Sequence, residues 1–194
     1  MLYELAHSVQ KRIPWLWGIV EWGNAALFSL KIGNKEKLVS CLVEGVRIAT
    51  ADDAKRLADF FHCQPENSFR WFRPHAFDEE TLKVLLQRSS YIIYVLEEQG
   101  DIIGYAFLRC FFNGKCFLGK MVDYRHQGKG VCTTLCAVGM NMAHTLGLRM
   151  FESINKENVG SMRASQKACD VVVVEELEDG DVLIEDRLKG TGTN

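Results

Sequence analysis

The sequence predicts an α/β (α+β) fold, one sheet of mixed strand direction carrying helices, preceded by an N-terminal helical extension. Three observations carry this. From Val46 onward, segments of helical period alternate with β-branched and aromatic runs. Three strand candidates then follow one another with only short turns between them. Finally, an amphipathic helix separates the third of these from another strand, a spacing that suits a parallel crossover.

Residues 1 to about 45 read as helical, with Leu2, Leu5, Ala6 and Val9 at helical spacing, a restart after Pro14, and a turn at Gly33-Asn34-Lys35. Val46-Arg47-Ile48-Ala49 is a short strand. Thr50 then offers an N-cap, with Asp53 three residues on, and Ala54, Leu57, Ala58 and Phe61 form one apolar face. Phe69 to His75 is an aromatic and basic loop, and a helix follows from about Asp78 to Gln87. Strands are expected over Tyr91 to Leu96, Ile102 to Arg109 and Lys115 to Val122. Gln99-Gly100-Asp101 punctuates the first pair, and Asn113-Gly114 gives the strongest short hairpin signal. Val131, Leu135, Val138, Met142 and Leu146 mark the long helix. Leu148 to Ile154 reads as a strand, Val159 to Ala168 as a helix, and Val171 to Leu177 with Val182 to Glu185 as a hairpin around Asp179-Gly180. The expected division is an extension over 1–45, a main domain over 46–188 and a frayed tail over 189–194.

A chain of 194 residues with 47% apolar and 25% charged residues can bury one substantial core. A net charge of −2 supplies no basic field for nucleic acid. Seven cysteines without a C-x-x-C pair read as buried thiols of a reducing, cytoplasmic protein, and no metal site is expected. The tryptophan-rich stretch from Pro14 to Trp22 and onward to Leu30, interrupted by Glu21 and Asn24, falls short of the roughly 20 apolar residues of a spanning helix. It is expected to pack on the domain or on a partner subunit in a homodimer. A secondary reading, from Lys11 and Arg12 beside the tryptophans, is contact with a membrane surface.

The chemistry concentrates in Met121-Val122-Asp123-Tyr124-Arg125-His126-Gln127-Gly128-Lys129-Gly130-Val131-Cys132-Thr133. A strand ends at Val122, and Gly128 and Gly130 open a helix whose first N–H groups lack intrahelical partners, an arrangement suited to an anion such as pyrophosphate. It is neither a Walker A loop, which needs G-x-x-x-x-G-K-[ST], nor a Rossmann fingerprint, since it follows an antiparallel hairpin.

The segment resembles the coenzyme motif of the GNAT superfamily, [RQ]-x-x-G-x-[GA] with a Val five residues upstream: Gln127, Gly130 and Cys132 take the motif positions and Val122 the upstream one. Arg125, Gly128 and Gly130 fit the letters in an offset register, but the first keeps Val122 in place. Downstream, Asn158, Ser161 and Lys167 match. Ser165 stands where the family has a tyrosine, and Cys169-Asp170 replaces Gly-Phe. The likeness spans about residues 46 to 186. It implies a mostly antiparallel sheet with helices on both faces and transfer of an acetyl group from acetyl-CoA to a small-molecule amine. It also implies that Met121 and Val122 pair with the pantetheine arm, that Gln127, Gly128, Lys129, Gly130, Val131, Cys132 and Thr133 hold the pyrophosphate, and that Asn158 touches the coenzyme. Serine is a poor proton donor, so the alternatives are a silent acyl-CoA-binding module, O-acylation, or a longer acyl donor. A thiol of pKa about 8.5 leaves tolerably without a strong acid. The candidate bases are Glu152, Asp123 and His75. Arg70, Trp71, Arg73 and His75 form a substrate-side group resembling GNAT proteins of amino-sugar metabolism; guanidinium on phosphate and rings under a sugar would recognise an amino sugar or sugar nucleotide.

Overall fold

The computed structural model describes residues 23–29, 35–177 and 180–190. Helix α1 occupies residues 23–29, and a 3₁₀ helix follows over Lys35–Cys41. The strands are β1 (Val46–Ile48), β2 (Tyr91–Glu98), β3 (Asp101–Cys110), β4 (Lys115–Val122), β5 (Arg149–Asn155), β6 (Asp170–Glu176) and β7 (Asp181–Arg187). The remaining helices are α2 (Ala54–His62), α3 (Glu79–Gln87), α4 (Val131–Thr145) and α5 (Val159–Ala168). The sheet has seven strands in the order β1-β2-β3-β4-β5-β7-β6. Every neighbouring pair is antiparallel except β4 and β5, which the crossover helix α4 makes parallel.

Alternation along β2 divides the core. Ile92 and Tyr94 join Leu118, Leu135, Met142 and Met150 beneath α4, whereas Ile93 and Val95 join Leu57, Phe61, Leu82 and Met121 beneath α2 and α3. The sheet thus carries helices on both faces, as expected. Two glycines set how closely α4 approaches: a Cβ at Gly104 would meet Val131 Cγ1 at 2.8 Å, and one at Gly139 would meet the Tyr94 hydroxyl at 2.5 Å. That hydroxyl donates to the Leu135 carbonyl at 2.8 Å, so a buried phenol is satisfied by the helix it supports.

Both hairpins form where expected, but the two turns differ in form. The tight two-residue turn lies at Gln99-Gly100, where both residues have positive φ (53° and 89°) between the paired Glu98 and Asp101. At Asn113-Gly114 only Gly114 is left-handed, and the connection is longer. The reason is tertiary: Asn24 Nδ2 donates to the Cys110 carbonyl at 2.9 Å, and the Phe112 N–H donates to Asn24 Oδ1 at 3.0 Å. Helix α1 therefore takes backbone groups a tighter hairpin would have paired. Phe28 is buried in the core and Ser89 Oγ donates to the Ala25 carbonyl at 2.8 Å, so the described part of the N-terminal extension packs on the domain. The segment from Pro14 to Trp22, Lys11, Arg12, the turn at Asn34, and Asp179 lie outside the described residues. Among the described residues no helix is long and apolar enough to cross a membrane, and no group of three or more His, Cys, Asp and Glu side chains could hold a metal ion.

Candidate active site

The strand pair at the centre of the sheet does not stay together. Strand β4 pairs with β3 from Cys116 to Val122, but with β5 only through Lys115, Cys116 and Phe117. Past Phe117 and Phe151 the two parallel strands part, and the β5-facing edge of residues 118–122 has no strand partner among the described pairings. An edge of free N–H and C=O groups can accept an extended ligand as an added strand. The gap opens into a cavity of about 380 Å³ lined by Lys120, Glu152, Asn155, Asn158 and Ser161.

The glycine turn stands at the end of the same strand. Gly128 and Gly130 have φ of 76° and 90°, a left-handed backbone that side chains resist, and a Cβ at either would meet nothing within 4 Å. The glycines thus serve backbone conformation, with open space beside them. Gly130 is the N-cap of α4, so Val131, Cys132 and Thr133 begin a 15-residue helix with unpartnered N–H groups and the positive end of its dipole. Gln127, Gly128, Lys129 and Gly130 are exposed, whereas Met121 and Val122 are buried at the end of β4. Asn158 caps α5, accepting from the Ser161 N–H at 3.2 Å, and lines the cleft from the β5 side. In the register that starts at Gln127, the motif glycine coincides with the helix cap.

Asp123 locks this turn. Its buried carboxylate accepts from the Arg125 backbone N–H at 2.8 Å, the Arg125 guanidinium at 2.9 Å, Gln64 Nε2 at 3.2 Å and His126 Nδ1 at 3.3 Å. The Arg125 guanidinium holds its carboxyl well below the usual carboxylate range. Both oxygens are committed to loop geometry.

A feature the motif does not contain is a charge cluster in the throat of the cleft. Lys120 on β4 and Glu152 on β5 form an ion pair with side chains 4% and 3% exposed. Lys120 Nζ also donates to Ser165 Oγ at 3.1 Å, and Ser165 Oγ donates to Glu152 Oε1 at 2.9 Å. Burial opposes the Lys120 charge, but Glu152 together with the Cys136 and Cys132 sulfurs outweighs it and holds the ammonium above its ordinary range. Cys132 lies nearby on α4; its thiol is held below the ordinary value by a hydrogen bond with Cys136 and by Lys120. Asp186 on β7 is buried and its carboxyl oxygens have no hydrogen-bond partner among the described residues. Burial and the neighbouring Glu152 push its pKa up, to about 8.

The sign of that shift gives a prediction. A carboxyl raised from 3.8 to about 8 by folding contributes stability that is present below its unfolded pKa and is lost as pH rises toward its folded one. Urea unfolding of the wild type is therefore expected to show lower stability at about pH 8 than at about pH 5, and Asp186→Asn to flatten that slope. An equal slope in both proteins would remove Asp186 as its source.

The substrate-side residues gather next to the cleft. Arg70, Trp71 and Arg73 line the cleft cavity, and Arg73 also lines a second cavity of about 500 Å³ with Phe61, Gln64, Phe69, His75 and Phe77. Arg70 pairs with Glu157 at 2.6 Å and lies 4.2 Å over the Trp71 ring. Phe61, Phe77 and His75 pack ring against ring. His75 Nδ1–H donates to the Ala76 carbonyl at 2.8 Å, which leaves Nε2 as the acceptor of the Tyr105 O–H at 3.0 Å. Burial lowers the His75 pKa, so the imidazole is neutral at pH 7. The structure therefore places His75 in the second cavity, Glu152 in the cleft throat and Asp123 beneath the glycine turn. It adds Lys120, Tyr105 and Asp186, which the motif did not single out.

A parallel strand pair that parts beside a glycine-rich helix start leaves an open strand edge next to free helix N–H groups. The chain belongs to the GNAT acetyltransferase family, whose acetyltransferase (GNAT) domain model matches residues 45–168. Comparison with curated protein sequences gives no match. Among solved structures, the GNAT domain of S. lividans PAT is similar at 20% identity and a TM-score of 0.65, over 74% of this chain and 89% of that one. The ribosomal-protein-S5-alanine acetyltransferase of Vibrio fischeri is similar at 17% identity and 0.61, over 78% and 98%. An aminoglycoside acetyltransferase in complex with coenzyme A and kanamycin is similar at 15% identity and 0.57, over 74% and 94%. At these identities the likeness is one of fold.

Proposed function

We propose that the protein is a cytoplasmic acetyl-CoA-dependent N-acetyltransferase acting on a small-molecule amine. The observation that carries this reading is the coincidence of the β4–β5 gap with the glycine turn: an open strand edge and a set of free helix N–H groups in line. A coenzyme with an extended amide arm and a pyrophosphate matches both. Met121 and Val122 would meet the pantetheine end, Gln127 to Thr133 the phosphates, and Asn158 the coenzyme from the β5 side.

The acceptor would enter from the aromatic cavity, whose size falls within the range of small-molecule sites. Aromatic walls, Arg73 and the neutral His75 suit an amine carried on a flat or ring-shaped body, and an amino sugar or sugar nucleotide fits this description. Arg70 is held by an exposed ion pair with Glu157 and by its place over the Trp71 ring, contacts of about 0–1 kcal/mol each at an exposed site, so its guanidinium can turn to a phosphate at modest cost. One of the solved relatives is an aminoglycoside acetyltransferase and another acts on a ribosomal protein, so both small-molecule and protein amines belong in the screen. Seven free thiols fit a reducing compartment.

Calorimetry with acetyl-CoA tests the reading. Wild type is expected to bind in the micromolar range, and Gly130→Trp, which fills the open space beside the turn, to lose that binding while keeping a cooperative thermal transition. Failure of the wild type to bind acetyl-CoA would overturn the assignment.

A further inference from the structure

Lys120 and Glu152 sit where sheet pairing stops: Lys120 three residues beyond Phe117 on β4, Glu152 one residue beyond Phe151 on β5. Both line the cleft. On β4, Cys116, Leu118 and Val122 share the inward parity of Lys120, and on β5, Met150 and Ile154 share that of Glu152; all are buried apolar residues. An apolar pair would fit the pattern, and replacing buried ion pairs by apolar residues of similar volume is often neutral or stabilising. Stability therefore gives no reason for a charge pair at this point.

The hydrogen-bond inventory indicates what the cation can do. Glu152 has both oxygens engaged, Oε2 by Lys120 and Oε1 by Ser165. An ammonium has three N–H donors, and those of Lys120 reach Glu152 and Ser165, leaving one for a ligand in the cleft. A group that arrives here and becomes an anion gains from that donor in a site shielded from water.

Resting on the coenzyme reading above, we infer that Lys120 is a catalytic residue that stabilises the departing coenzyme thiolate, with Glu152 and Ser165 as positioning residues. The acceptor nitrogen forms its bond to the acetyl carbon, the carbon–sulfur bond breaks, and the electron pair remains on sulfur. The sulfur stays beside the Lys120 ammonium as a thiolate until release, and the proton lost by the amine passes to a base on the acceptor side, His75 Nε2, and from there to water. Ser165, too weak an acid to serve the sulfur directly, fixes the ammonium in place.

The test needs no acceptor. Coenzyme A itself is titrated onto the protein across the thiol ionisation range, following thiolate absorbance in the ultraviolet. The bound thiol is expected to ionise at least one unit below the thiol of free coenzyme A titrated alongside, a tenfold or greater preference for the thiolate. The shift should vanish in Lys120→Met. The double variant K120M/E152L, which removes both members of the buried ion pair together, guards against a folding failure and should also lack it. Wild type that binds coenzyme A with an unshifted thiol, or a shift that survives in the double variant, overturns the role of Lys120 and leaves the coenzyme site standing. Wild type that binds no coenzyme A overturns the coenzyme site and this inference with it.

Discussion

Glu152→Leu is expected to destabilise the protein by about 3–5 kcal/mol, because it leaves the Lys120 ammonium buried without its counter-ion. Against a total stability of about 5–15 kcal/mol, that loss brings the variant close to unfolding. Adding Lys120→Met should restore most of it, since the double variant replaces a buried ion pair with apolar groups in an apolar neighbourhood. Urea midpoints of the four proteins in this cycle make the measurement. A coupling within about 0.5 kcal/mol of zero would mean that water reaches the pair in solution and that the throat of the cleft is wetter than its 3–4% exposures indicate.

The cycle concerns a part of the molecule that pattern reading passes over. The long helix from Val131, the strand Lys115–Val122 and the helix Val159–Ala168 were legible because period and turn chemistry act locally. The family was legible for a related reason: Gln127, Gly130 and Val122 are spaced by the backbone demands of a strand running into a helix cap. Lys120, Glu152 and Asp186 are different. Each is a charged residue at an inward position of its strand, on β4, β5 and β7 respectively, and their meeting depends on strand order, which no local window contains. The signal was present all the same: in Lys115–Val122, alternation places Lys120 on the side of Leu118 and Val122, a conflict between charge and parity of the kind expected at functional or strained sites. The turn at Asn113-Gly114 failed as a tight hairpin for a similar reason, since Asn24 lies 86 residues away from its Cys110 partner.

His75 carries the largest expected effect on turnover. Its neutral state at pH 7 follows from burial, and its tautomer follows from the Ala76 carbonyl, which can only accept. The basic lone pair is therefore on Nε2, held in the resting site against the Tyr105 hydroxyl. A hydroxyl rotates freely, so, if His75 serves as the base, an acceptor N–H would displace that contact and meet a lone pair already oriented. Once an acceptor is in hand, His75→Ala is expected to lower kcat/KM by about 10²–10⁴-fold, the usual worth of a positioned general base. Tyr105→Phe, which removes only the guard, is expected to cost far less. Because burial lowers the pKa of His75 from 6.5, the acid limb of the pH profile should lie below that value: activity is full above it and falls as the imidazole protonates. Full activity in His75→Ala would show that the amine arrives unprotonated and needs no base from the protein, leaving the cavity to select its acceptor by shape alone.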